Sequence, residues 1–339
     1  MKAVQIVQPG VVEVVDIHTP EPTPDEVLLK INYVGLCGSD LSTYLGKNPM
    51  VQYPRIPGHE IEGTIVDTGK NVPEEYKAGR KVAVIPYTNC GECSACAGGR
   101  TNACEYNQTL GVQRDGALCD YITVHWEKVI CSDSLSEKEL ALTEPFTVGF
   151  HAVERAKITE NDTVMVLGCG MVGSGAVISA AGRGARVIVV DIDDRKLNMA
   201  KQLGARYQVN SLKYSVHNVL KEITDGHGPS VVIEAAGNPI TYVMAIDEVA
   251  YAGRVVCIGY TKDDIPLATR LFVQKEIDIR GSRNATQTDF EAVIRYLKSG
   301  NCPVDKLITR ITTPGEVGDT MKYWSENIGE IQKILVVFQ

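Results

Sequence analysis

The order of apolar and polar positions changes character near Thr163. From there, apolar runs of strand length (TVMVLG, ARVIVVD, ARYQVN, SVVIEAAG, RVVCIGY and KEIDIRG) alternate with stretches of helical period. Six strands separated by helices predict a doubly wound parallel sheet. The residues before it, 1 to 147, carry short alternating runs beginning with MKAVQIV, broken by turn signals such as Pro9-Gly10 and Pro57-Gly58. That pattern predicts a compact, mostly-β domain. After residue 283 come one amphipathic helix, TDFEAVIRYLKSG, and a final strand, KILVVF, too little to bury a core alone. This tail is expected to pack back onto the first domain, so that 1–147 with 284–339 form one domain and 148–283 the other, in an α/β chain. The chain has no internal repeat and no low-complexity linker.

Composition narrows the class. At 339 residues, 44% hydrophobic and 22% charged, the chain is long enough for two cores. Its net charge of -8 is spread along the sequence, without a run of Lys or Arg or any interleaving of basic and aromatic residues, which argues against nucleic acid as a partner. The first strand-like run is interrupted by Gln8, Pro9 and Gly10, and no later apolar run approaches membrane-spanning length, so a cytoplasmic protein without a membrane partner is expected. Ten cysteines in such a chain read as thiolate ligands and buried thiols rather than disulfides.

The first strand of the parallel sheet runs directly into Gly168, Gly170 and Gly173, spaced GxGxxG, then into a helix and a second strand ending at Asp191. Gly168 allows the tight turn, Gly170 lets a pyrophosphate approach the backbone, and Gly173 lets helix and strand pack closely. The helix N-terminus offers free N–H groups to the phosphates. Asp191 is placed to bind ribose hydroxyls. Asp193 and Asp194 add negative charge where NADP would carry its extra phosphate, which favours NAD. Arg195 could pair with a 2′-phosphate, but beside three carboxylates it is rather expected to cover the adenine or be neutralised by them. The cofactor set is completed by Met171, Val172 and Ile192, and by Ala236, Ile258 and Gly259 after the later strands.

Two constellations suit metal. Cys90, Cys93, Cys96 and Cys104, spaced C-x2-C-x2-C-x7-C, predict a closed tetrahedral zinc site that folds a lobe poor in apolar residues. A ferredoxin-like iron–sulfur cluster is disfavoured by the x7 gap and the missing Cys-Pro ending. Cys119, Cys131, Cys169, Cys257 and Cys302 are isolated and are expected to be buried thiols. In YPRIPGHEIEG, His59 and Glu60 stand side by side after Pro57-Gly58, a costly pair to bury unless a cation joins them. Cys37, exposed by its flanking glycines in VGLCGSD, is the natural third donor. Glu144, in ALTEPF at the domain boundary, is the fourth, directly or through water. Such a mixed set leaves an open position on zinc, the mark of a catalytic site, and brings the expected content to two Zn2+ per chain.

Taken in order, GLCGSD, PRIPGHEIEG, the four-cysteine lobe, EPF, GCGMVG and the strand ending at Asp191 resemble the zinc-containing medium-chain dehydrogenases, the family of alcohol, sorbitol and threonine dehydrogenases. The resemblance implies a GroES-like catalytic domain built from both chain ends, with a Rossmann NAD-binding domain between them. Glu60 after His59, and Glu144 where the alcohol dehydrogenases have cysteine, are similar to the polyol and threonine branch. By the same match Ser39 takes the substrate proton and Asp40 orients His59 from behind, both with catalytic roles alongside Glu60. Ser42 stands where many relatives have the histidine that continues the proton relay, so water is expected to complete it. GSRNATQTDF resembles bacterial sugar-acid dehydrogenases such as the L-galactonate and L-gulonate 5-dehydrogenases. This makes Arg283, with Asn284, a candidate for binding a substrate carboxylate or distal hydroxyls; a structural ion pair or subunit contact is the other role open to Arg283. The resemblance implies NAD-linked oxidation of a secondary hydroxyl of a small sugar acid or sugar alcohol by a homodimer or homotetramer. An L-threonine 3-dehydrogenase-like enzyme and a non-catalytic NAD-binding or redox-sensing module are the alternatives.

Overall fold

The computed structural model describes residues 1–338, and the chain divides into two compact units, Met1–Glu144 with Val293–Gln339 and Pro145–Ala292. The chain passes between them within the helices Thr143–Ala156 and Gln287–Lys298, whereas the pattern of strands had set the breaks at 147/148 and 283/284.

The first unit opens with a hairpin, β1 (Lys2–Gln8) and β2 (Val11–Asp16), turned at Gly10. The long strand β3 (Glu26–Leu36) alternates buried and half-buried positions along most of its length, as a strand with one face on a core requires. It is followed by β4 (Glu60–Thr68), β5 (Lys81–Val84), β6 (Tyr121–His125) and β7 (Val129–Cys131). The chain then builds the second unit and returns to the first.

The second unit is a six-stranded, all-parallel sheet of β8 (Thr163–Leu167), β9 (Arg186–Asp191), β10 (Tyr207–Asn210), β11 (Val231–Glu234), β12 (Arg254–Cys257) and β13 (Asp278–Gly281). The strand order is β10-β9-β8-β11-β12-β13, so the order reverses between β8 and β11. Ligands of such sheets bind beyond the carboxyl ends of the strands at that reversal. Met165, Leu167, Ile188, Val190, Val232 and Val255 fill the core beneath it.

Back in the first unit, β14 (Ile308–Thr312) and β15 (Lys333–Val337) complete a seven-stranded sheet in the order β14-β15-β3-β4-β5-β7, with β6 pairing the start of β3. β15 runs antiparallel to the end of β3, placing Ile334 opposite Leu36. The last strand of the chain thereby flanks the segment that leads into Cys37. Among the described residues, no helix is long and apolar enough to cross a membrane.

Candidate active site

Cys37 follows β3 as the N-cap of the helix Gly38–Tyr44. Three residues on, Asp40 closes that cap: its Oδ2 accepts from the Cys37 N–H at 2.8 Å, and its Oδ1 accepts from the Gly58 N–H at 3.3 Å. One buried carboxylate therefore ties the Cys37 turn to the Pro57-Gly58 turn that carries His59 and Glu60. Burial raises the Asp40 pKa, and the two backbone donors oppose that rise.

The donor atoms of Cys37, His59 and Glu60 lie within 4.8 Å of one another. Cys37 is half-buried at its cap rather than exposed in a loop, while His59 and Glu60 are buried. His59 Nδ1 stands 4.0 Å from Asp40 Oδ1, too far for a hydrogen bond, and has no such partner among the described residues. Asp40 therefore acts on the ring through its charge. Burial disfavours the charged imidazole, but Asp40, Cys37 and Glu144 outweigh it and raise the His59 pKa well above the usual range. A donor set this anionic seeks positive charge, and a divalent cation meets that need with better geometry than a proton. The Ser39 hydroxyl is also buried without a hydrogen-bond partner among the described residues.

Glu60 has a partner that local sequence did not reveal. Lys333 Nζ lies 2.5 and 2.6 Å from its two oxygens and donates to the Leu36 carbonyl at 3.1 Å, with the Lys333 and Glu60 side chains 3% and 1% exposed. The available signal was a lysine opening the otherwise apolar KILVVF. Gly35 makes room: it pairs with Glu60 across β3 and β4, and a Cβ there would come within 1.9 Å of Glu60 Oε2.

Glu144 is not part of the three-residue cluster. It sits in the first turn of the helix Thr143–Ala156, where the following Pro145 is tolerated. It is buried, and its pKa is raised by burial and by Glu60 against the opposing pull of His59 and Tyr87. The Tyr87 hydroxyl, also absent from the sequence reading, donates to Glu144 Oε1.

The four-cysteine lobe has the dimensions of a tetrahedral site. Sulfur separations of 3.7, 3.9 and 4.0 Å link Cys90, Cys93, Cys96 and Cys104. A tetrahedron with metal–sulfur bonds of about 2.3 Å has edges of about 3.8 Å. Backbone N–H groups of Glu105 and Cys96 lower the Cys93 thiol, whereas burial and neighbouring thiols push Cys96 up. Of the isolated cysteines, Cys119 and Cys169 are buried as expected, but Cys131, Cys257 and Cys302 are only half-buried.

In the second unit, Gly168 turns at φ +87° and the helix Met171–Gly182 starts from Gly170 with no side-chain cap. Its first N–H groups have no intrahelical acceptor. A Cβ at Gly170 would meet nothing within 4 Å, so the loop offers open space there, with Met171 and Val172 following. Asp191, at the end of β9, accepts from the N–H groups of Cys169 at 2.7 Å, Ile192 at 2.7 Å and Asp193 at 3.0 Å. Arg195 forms a two-pronged pair with Asp193 at 2.8 and 3.2 Å. The loops carrying Ala236, Ile258 and Gly259 meet at Glu234. Its Oε1 accepts from Ala236 N–H, Gly237 N–H and Thr241 Oγ1, and its carbonyl accepts from Ile258 and Gly259. Arg283 is exposed, and Asn284 adopts φ +54°, just past β13.

Comparison with known proteins gives the family. Residues 23–133 match the model of the alcohol dehydrogenase GroES-like domain and residues 172–299 that of the zinc-binding dehydrogenases. The chain is 34% identical to L-galactonate-5-dehydrogenase of Escherichia coli K12 over 94% of each chain. It is 35% identical to sorbitol dehydrogenase of Bacillus subtilis, over 99% of this chain and 97% of that one. A crystal structure of an alcohol dehydrogenase from E. coli CFT073, complexed with NADH, superposes with a TM-score of 0.92 at 30% identity, covering 100% of this chain and 99% of that one. The chain belongs to the zinc-type medium-chain alcohol dehydrogenases, pyridine-nucleotide-dependent oxidoreductases of alcohols and polyols.

Proposed function

We propose that this enzyme oxidises a secondary hydroxyl of a sugar acid or sugar alcohol to the ketone, with NAD as acceptor and two zinc ions per chain. The observation that carries the reading is a mixed thiolate, imidazole and carboxylate set within 4.8 Å, with a further buried carboxylate nearby, in a chain that also holds a closed four-thiolate set. Cys37, His59 and Glu60 would hold the reactive zinc, with Glu144 reaching it directly or through water, and the ion would supply Lewis acidity towards an alcohol oxygen.

The chain's own groups do the rest. Ser39 takes the alcohol proton as its hydroxyl gives up its own, and water completes the outward path where Ser42 stands in place of a relay histidine. Asp40 fixes the two turns that carry Cys37 and His59. Gly168, Gly170 and Gly173 cradle the pyrophosphate, and Asp191, already oriented by three backbone donors, takes the ribose hydroxyls. Arg195 pairs with Asp193 and Lys213 with Asp194, which leaves Asp191 as the carboxylate of the three without a cationic partner among the described residues and supports NAD over NADP. Arg283 and Asn284 bind the substrate's carboxylate or distal hydroxyls. The names of the two relatives, a sugar-acid and a polyol dehydrogenase, support this range. The reading includes a cytoplasmic setting, where thiolates stay reduced, and a homodimer or homotetramer, which light scattering tests.

The test is a screen by NADH absorbance against hexitols, L-gulonate, L-galactonate, D-altronate and L-threonine. Turnover is expected on a polyol or sugar acid. Cys37→Ala is expected to abolish turnover and keep NADH binding. Undiminished activity in that variant would remove the assigned chemistry.

A further inference from the structure

Tyr87 lies between the two metal-binding constellations. It follows β5 and precedes Cys90, and its backbone bridges to Thr109, beyond Cys104. Thr88 N–H donates to Gln108 O at 3.3 Å, Leu110 N–H to Pro86 O at 3.0 Å and Gln108 N–H to Thr88 Oγ1 at 2.7 Å. The segments 86–88 and 108–110 are thus the paired stem of a loop that the four cysteines close. From that stem the Tyr87 ring runs inward. The residue is 5% exposed, and its hydroxyl donates to Glu144 Oε1.

We propose that Tyr87 is a positioning residue through which the four-thiolate lobe sets the Glu144 carboxylate at the reactive metal site. The proposal rests on the assignment of Glu144 to that site, directly or through water. Closing the lobe fixes the stem, the stem fixes the phenol, and the hydrogen bond fixes one carboxylate oxygen. A zinc ion classed as structural thereby contributes to the affinity of the other site. The tyrosine is suited to this because its hydroxyl stands on a rigid ring with two side-chain torsions, so one buried donor is held without a flexible stem.

The experiment uses the zinc-loaded enzyme, with Tyr87→Phe, Glu144→Gln, the double variant and Cys90→Ser. Zinc content, the rate at which each zinc passes to a chromogenic chelator, melting temperature, kcat and KM are measured. Tyr87→Phe is expected to melt within a few degrees of the parent and to keep the lobe zinc. It should lose the second zinc at least tenfold faster, with kcat lowered more than KM is raised. In the Glu144→Gln background the same change should alter that rate less than twofold. Cys90→Ser should speed loss of the second zinc only while Tyr87 is present. A parental rate in Tyr87→Phe, or an effect undiminished by Glu144→Gln, overturns the proposal even if Cys90→Ser does not fold. A parent that binds only one zinc overturns the underlying site assignment as well and is told apart by zinc content alone.

Discussion

Lys333 and Glu60 illustrate how much a single buried pair can carry. Desolvating both charges costs several kcal/mol, and contacts of 2.5 and 2.6 Å offset it only while both partners are present. Lys333→Met should therefore destabilise the metal-free protein by about 3–5 kcal/mol in urea unfolding, with added zinc restoring part of the loss. A variant as stable as the parent would mean that Glu60 does not rely on this lysine. Glu234 makes a different case. Burial raises its pKa above the usual 4.5 despite hydrogen bonds from Thr241, Gly237 and Ala236, and its Oε2 has no partner among the described residues. The folded state holds that proton to higher pH than the unfolded chain does, so this group's contribution to stability falls as pH rises above 4.5. Glu234→Gln keeps an acceptor oxygen and removes the charge. Its melting temperature should exceed the parent's at pH 8, on the order of 2 °C, and the gain should vanish near pH 5. Cys37, His59 and Glu60 were legible because metal donors beside glycines are chemically conspicuous. Lys333 and Tyr87 were not, because their partners lie 273 and 57 residues away, beyond any local pattern.

At the scale of elements, the parallel sheet was the most legible part of the molecule. All six apolar runs after Thr163 became β8 to β13, since each strand is short, carries at least one Val or Ile and is followed by a helical stretch. The mostly-β unit was legible in class but not in pairing. β3 is bordered by β4, β6 and β15, and nothing in its 11 residues names a partner from the far end of the chain. Registry there is set by which faces are buried and by close approaches such as Gly35 against Glu60. Gly173 tests how much the dinucleotide loop depends on such an approach. A Cβ there would lie 2.0 Å from the Gly168 carbonyl oxygen, so helix Met171–Gly182 would have to lift off the loop. Gly173→Ala should weaken NADH binding at least tenfold in a fluorescence titration while zinc content stays at the parental value. Unchanged NADH affinity would show that the loop absorbs the methyl group without moving the helix.

The whole molecule is assembled out of chain order, and that order makes a prediction of its own. The parallel sheet closes its core within Pro145–Ala292, with all six strands and the residues beneath them drawn from one continuous segment. The other unit needs both ends of the chain, because β14 and β15 enter only after residue 300. A segment 145–292 made alone should therefore unfold cooperatively and still bind NADH, since every group assigned to the cofactor lies inside it. A chain stopped at Ala292 faces the opposite situation. The edge of β3 from Tyr33 to Leu36 loses its partner strand, Glu60 loses Lys333, and Val317, Met321, Trp324 and Ile334 vanish from the core. An unpaired apolar edge beside an uncompensated buried carboxylate favours association over folding. The truncated chain should appear as aggregate in size-exclusion chromatography and fail to retain the zinc assigned to Cys37, His59 and Glu60. If it instead eluted as a folded monomer with two zinc ions, the closing strand would be an ornament on a core that the first 144 residues build by themselves.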